Sequence, residues 1–175
     1  YDVTSDPANA EDLTYDEPET GKRCNNIFMR PRSQADLAAR RRTHEAWAET
    51  TWGMLGRSPD PVAAFITGMA CKPDVFDLHD QGFSANILDY WRHIRDNDLY
   101  LAYAVVPPAG AKGAEAVATP QTRSDAKWGE TAGLRVIKET DAGVIVSGFK
   151  ILATAACLAD EVLIGNVLPL PRGDE

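Results

Sequence analysis

Two short stretches carry residues whose types and spacing could do chemistry. In the first, Gly53-Met54-Leu55-Gly56-Arg57-Ser58-Pro59-Asp60, two glycines let the backbone approach a ligand closely. Arg57 adds a permanent cation with five donors. It stands just ahead of a predicted helix start, where amide N–H groups also point outward, and that pairing suits a phenolate or a carboxylate. The same residues fit a plain helix–helix connection, with Asp60 as cap and Arg57 in solvent. On local sequence alone that plainer reading is favoured. In the second stretch, Ser147-Gly148-Phe149-Lys150-Ile151-Leu152-Ala153-Thr154, a predicted strand runs into small residues. Ala153, Ala155 and Ala156 leave room for a flat cofactor, and the Thr154 hydroxyl can reach a ring or ribose atom. An ordinary strand end also fits these residues, and on local sequence alone that plainer reading is again favoured.

Other chemistries have less support. His44, His79 and His93 are scattered, and Cys24, Cys71 and Cys157 show no CxxC or HxxxH spacing, so no metal site is expected. There is no GxGxxG, no Walker loop and no GxSxG elbow. His44 and His93 fall within amphipathic helices and read as packed or surface residues.

The elements that must position these stretches change in character along the chain. Ser33 opens a helix, with Asp36 three residues on as a weak capping box. Leu37, Arg41, His44, Trp47, Ala48 and Thr51 then recur at helical spacing and predict the inward face, with Arg40, Arg41 and Arg42 mostly toward water. A second helix is expected from Pro61 to Met69 or Ala70, with Asp60 as N-cap. Phe83, Ile87, Leu88, Trp91 and Ile94 form the stripe of a third, which ends near Asp96. Strands follow at 99–106, 134–139 and 144–147, the last continuing to 152, with another at 162–167. Residues 109–133, rich in Ala, Gly, Thr and Pro, read as a long loop. The fold class is therefore α+β, helices first and antiparallel strands after. The domains divide into an extended acidic segment (1–30), a helical domain (31–98) and a β domain (99–175).

Composition limits the partners. The 175 residues carry a net charge of −8, which argues against a nucleic-acid partner. No apolar run approaches the length of a membrane span, and no leader pattern opens the chain. Three widely spaced cysteines suggest free thiols and a cytoplasmic protein. Residues 1–20 hold seven acids, no base and two prolines, and read as a solvated loop over the surface. The chain opens at Tyr1, so a piece of something longer is expected.

Taken together, several stretches resemble the flavin-dependent aromatic hydroxylases of the 4-hydroxyphenylacetate 3-monooxygenase type. They are Pro31-Arg-Ser-x-x-Asp-Leu37, Gly53 to Asp60, Glu139-Thr-Asp-Ala-Gly-Val-Ile-Val-Ser-Gly-Phe-Lys150, Ala153-Thr154 and Ala159-Asp-Glu-Val-Leu-Ile-Gly-Asn166, in family order. The resemblance implies an acyl-CoA-dehydrogenase-like fold: a helical N-terminal part, a middle β-barrel that is incomplete here, and a C-terminal helical bundle absent from this chain. It implies a two-component monooxygenase in which a separate reductase supplies reduced FAD (FADH2). Molecular oxygen then forms a flavin hydroperoxide that hydroxylates a phenolic ring ortho to its hydroxyl. The substrate would be a small aromatic, free, carrier-bound or CoA-bound, and the enzyme a homodimer or homotetramer.

By the same resemblance Arg57, Ser58, Pro59, Asp60 and Pro61 contact substrate, and Arg57 polarises the phenolic oxygen. Tyr103, Pro108, Ala109, Gly110 and Thr154 contact the flavin, with Tyr103 also catalytic; another placement puts part of the loop pattern at Thr119-Pro-Gln-Thr-Arg-Ser124. Two departures stand out. Pro61 replaces a tyrosine common in relatives, and Tyr103 replaces a histidine. Tyrosine is the poorer proton acceptor at neutral pH, so either the substrate differs or another group does that work. Two alternatives remain: a hydroxyacyl-CoA dehydratase-like flavoenzyme, whose cluster cysteines are not matched by Cys71 alone, and an inactive fragment or binding module.

Overall fold

The computed structural model describes residues 6–54, 60–78, 82–106 and 134–165, residues 60 and 135 by their backbone alone. The chain forms two compact units, Tyr1–Leu101 and Ala102–Glu175.

The first unit begins with a short helix, α1 (Ala10–Leu13), and a hairpin of β1 (Thr14–Asp16) and β2 (Arg23–Asn25), in which Tyr15 stands opposite Cys24. A 3-10 turn, Asn26–Phe28, follows. This opening is not the solvated surface loop its charge suggests. Leu13 and Phe28 are fully covered and even Glu17 is buried. The reason is pairing: β1 and β2 satisfy each other's backbone, and that lets their flanking apolar residues go inside.

Helix α2 (Gln34–Thr50) starts as expected. Ser33 Oγ accepts from Asp36 N at 3.2 Å, and Asp36 Oδ2 accepts from Ser33 N at 2.9 Å, a complete capping box. The amide of Arg32, then the hydroxyl and amide of Ser33, hold the Asp36 carboxyl below its ordinary range. The inward face differs from the predicted stripe. Thr43 and Trp47 are buried, while Leu37 is 56% exposed and Arg41 and Ala48 lie outside. Carbonyls of the Asn26–Phe28 region explain the rotation, since they need donors. Arg40 Nη1 supplies them to Ile27 O and Met29 O, each at 3.1 Å, so Arg40 turns inward from the wet side.

Helix α3 (Asp60–Cys71) begins one residue before the expected Pro61 and buries Val62, Ala63, Ile66, Thr67 and Ala70. A 3-10 stretch, Pro73–Leu78, leads to α4 (Phe83–Asp96). Asp77 Oδ1 accepts from Gly82 N and Ser84 N, at 3.2 and 3.0 Å, and so serves as the cap of α4. Trp91 and Ile94 form the inward stripe as predicted, but Phe83 is half exposed, because a polar cap and not packing holds the first turn.

In the second unit, β3 (Leu101–Ala104) is shorter than the expected strand and pairs with β6 (Glu161–Ile164). The strands β4 (Arg135–Thr140) and β5 (Gly143–Ser147) form an antiparallel hairpin, Val136 opposite Val146, Glu139 opposite Val144, and an irregularity between Val136 and Lys138. Gly148 (φ 109°) and Leu152 (φ 62°) interrupt the expected continuation of β5, leaving only Ile151 paired, with Val106. Among the described residues the strands make three two-stranded sheets and no closed barrel.

Candidate functional site

The two candidate stretches lie in different units. At the first, Gly53 N donates to Ala48 O at 2.9 Å with φ 69°, which ends α2 in the left-handed turn that glycine tolerates best. Trp52 and Met54, on either side of it, are 91 and 85% exposed. Arg57, Ser58 and Pro59 lie outside the described residues. Asp60 is the first residue of α3, and Pro61 stands exposed in its first turn, where a missing N–H removes no helix hydrogen bond.

In the second unit the bridge between Val106 and Ile151 runs the segment carrying Thr154 beside the strand carrying Tyr103. Tyr103 is half-buried and Thr154 exposed. Thr154 opens a tight turn in which Ala156 N donates to Ala153 O at 3.1 Å and Leu158 N to Ala155 O at 2.9 Å. Leu152 and Ala155, on either side, have φ of 62° and 60°. A left-handed backbone costs an ordinary L-residue about 1–2 kcal/mol, so this turn holds its hydroxyl in a strained frame. Pro108, Ala109 and Gly110 lie outside the described residues, as does 119–124.

Sequence reasoning missed a buried polar cluster in the first unit. Arg95, fully covered, places Nη1 3.3 Å from Glu17 Oε2 without hydrogen-bond geometry, and donates from Nε to Asp96 Oδ1 at 2.7 Å. Tyr15 Oη donates to Glu17 Oε2 at 2.6 Å. Burial, then the hydrogen bond and charge of Glu17, push the Tyr15 hydroxyl well above its ordinary range. Burial alone would lower Arg95, but its bond to Asp96 and the charges of Asp96 and Glu17 outweigh that and raise it. The bond from Arg95 also holds Asp96 below the ordinary carboxylate range. Two guanidinium carbons approach the Trp91 ring, Arg30 at 4.2 Å and Arg95 at 4.4 Å from its centre, and its indole N–H donates to Phe28 O at 3.1 Å. A pocket of about 200 Å³ opens beside this cluster, lined by Tyr15, Glu17, Met29 and Arg30 among others. One signal was available: Arg95 follows Trp91 by one helical turn, on the inward stripe.

The whole chain, residues 1–175, matches the family described as 4-hydroxyphenylacetate 3-hydroxylase N terminal. The chain belongs to this family. It is 34% identical over 175 residues to the 4-hydroxyphenylacetate 3-monooxygenase oxygenase component of Thermus thermophilus, covering 100% of this chain and 33% of that protein. This hydroxylase-family chain thus spans about a third of the length of that relative. Among solved structures it is similar to the oxygenase component of 4-hydroxyphenylacetate 3-monooxygenase complexed with FAD and 4-hydroxyphenylacetate. The TM-score there is 0.77 at 34% identity, over 95% of this chain and 32% of that one. An archaeal 4-hydroxybutyryl-CoA dehydratase from N. maritimus gives a TM-score of 0.70 at 16% identity, over 98% of this chain and 32% of that one, a likeness of fold alone.

Proposed function

We propose that the full-length protein is the oxygenase component of a two-component flavin-dependent monooxygenase. It places a hydroxyl ortho to that of a phenolic substrate, with reduced FAD delivered by a separate reductase. The observation that carries this reading is the 34% identity, over 95% of the chain, to an oxygenase structure that holds both FAD and a phenol. In the balanced reaction a ring C–H, O2 and FADH2 become a ring C–OH, water and FAD. When bound, reduced FAD (FADH2) would supply the two electrons that bring oxygen to an electrophilic state.

The chain's own residues fit such a ligand. Thr154 offers an exposed hydroxyl among Ala153, Ala155 and Ala156, side chains too small to keep a flat ring away. In this reading Thr154, Tyr103, Pro108, Ala109 and Gly110 hold the flavin. Arg57, with Ser58, Pro59, Asp60 and Pro61, holds the phenol. A guanidinium beside the phenolic oxygen lowers its pKa, and the phenolate ring is the better nucleophile toward electrophilic oxygen. Tyr103, a donor at neutral pH, orients and does not take the proton. The strands of 99–175 belong to a middle β-barrel that closes in the full-length protein, residues 31–98 to the helical domain ahead of it. We place the enzyme in the cytoplasm as a homodimer or homotetramer; no helix of the described residues is long and apolar enough to cross a membrane.

The test is oxygen-dependent catechol formation by the full-length protein, given FADH2 and phenols offered free, carrier-linked or CoA-linked. Product that needs all three components is expected, and a protein that neither binds FADH2 nor couples it to product overturns the reading. Arg57→Ala should reduce turnover far more than flavin binding. Equal loss of both would make Arg57 structural.

A further inference from the structure

Helix α4 ends on a residue that glycine usually occupies. Leu99 N donates to Ile94 O at 3.0 Å and Asp98 N to Arg95 O at 3.3 Å, the paired bonds of a Schellman ending. Asp98 takes the left-handed position of that motif, at φ 48°. Its Cβ makes that backbone less favourable for aspartate than for glycine. Strain of this kind persists where the surroundings hold it, and it points to a use for the side chain.

The side chain has one. Asp98 Oδ1 accepts from Asn25 Nδ2 at 3.1 Å, 73 positions away in sequence. Asn25 is 7% exposed, and its Oδ1 accepts from Ile27 N at 3.2 Å, so both ends of the amide are committed. The same hairpin reaches the last turn of α4 as well, with Glu17 3.3 Å from Arg95 and Lys22 3.8 Å from Asp96. Those two pairs grip the helix, whereas the Asn25 bond grips the residue at which the chain leaves it. Leu99 and Tyr100 alone then separate Asp98 from β3, which carries Tyr103. So short a link passes a change of direction at its root on to the strand.

We infer that Asn25 and Asp98 are positioning residues: their hydrogen bond fixes how the chain leaves α4 and so holds Tyr103 in place for the flavin. The inference rests on the proposed flavin contact of Tyr103. A small displacement of a group that orients a ligand is costly, which gives the strained aspartate its advantage over glycine.

Anaerobic titration of the full-length protein with FADH2 tests it, with the melting temperature measured alongside. Asp98→Gly removes the bond but also relieves the left-handed strain, so its effects on melting temperature offset. The Kd for FADH2 should rise about fivefold, the scale of one hydrogen bond. Asn25→Asp sets two acceptors face to face and should weaken binding likewise. Adding Asp98→Asn returns a donor to the pair and should restore it. In a Tyr103→Ala background Asp98→Gly should cost nothing further, which a merely structural tie does not predict. An unchanged Kd in Asp98→Gly, no recovery in the exchanged pair, or the same loss with and without Tyr103 overturns the inference. Wild-type protein that binds FADH2 yet forms no catechol overturns the hydroxylation reading alone, because the titration reads binding and not turnover.

Discussion

In the first unit Leu13, Phe28, Trp91 and Ile94 are all fully covered, and a charged pair, Glu17 and Arg95, is buried with them. In the second, Val136, Val144, Val146 and Leu158 are 42, 59, 47 and 76% exposed. The difference follows from layers. Helices α2, α3 and α4 each meet another element on the inward side, whereas the hairpin of β4 and β5 is a ribbon whose paired valines, Val136 and Val146, share one uncovered face. Two-stranded ribbons are marginal alone. The helical unit therefore draws its stability from contacts within itself, and the strand unit's apolar face adds little until something covers it.

Breaking the first unit's core should separate the two most sharply. Trp91→Ala removes a fully covered ring, its bond to Phe28 O and two stacked guanidinium groups. A loss of about 3–5 kcal/mol is expected, read as collapsed hydrogen-exchange protection of α4 in the full-length protein. Arg95→Ala leaves Glu17 buried without its cation, and about 3 kcal/mol should go by the same measurement. Arg95→Ala together with Glu17→Gln should recover part of that loss. Ser33→Ala removes one half of the capping box and should cost about 1 kcal/mol, confined to amides in the first turn of α2.

Acid gives a smaller, directional effect. Asp96 is depressed in the folded protein, so its contribution is present above the unfolded carboxylate value of about 3.9 and fades as pH falls below it. Asp96→Asn should flatten the decline of melting temperature below pH ~4 relative to wild type. The smallest change is expected on the ribbon: Val146→Thr, at a position already 47% exposed, should shift local stability by about 0.5 kcal/mol or less. A core-sized loss there would show that the valine face is covered in the full-length protein.

Local signals were legible wherever cause and effect lie within one or two helical turns. Ser33 and Asp36 predict the start of α2, Pro61 the first turn of α3, and Thr140 with Gly143 the turn between β4 and β5. The candidate site was half legible. Thr154 could be singled out by its small neighbours, but the left-handed backbone of Leu152 and Ala155 could not, since neither residue type asks for it. Ordinary backbone propensities place a leucine there in a strand.

Alone, then, the residues determined the caps, the periods, the switch from helix to strand and the motif order that marks the family. Tertiary structure alone decided which way α2 faces. Arg40 turned inward because carbonyls of Ile27 and Met29 lacked donors, and Leu37 turned out in exchange. It also took Glu17 from a strip of seven acids and sealed it against Arg95. A hydrophobic period shows that a helix has an inner side; the unpaired polar groups of distant segments choose which residues occupy it.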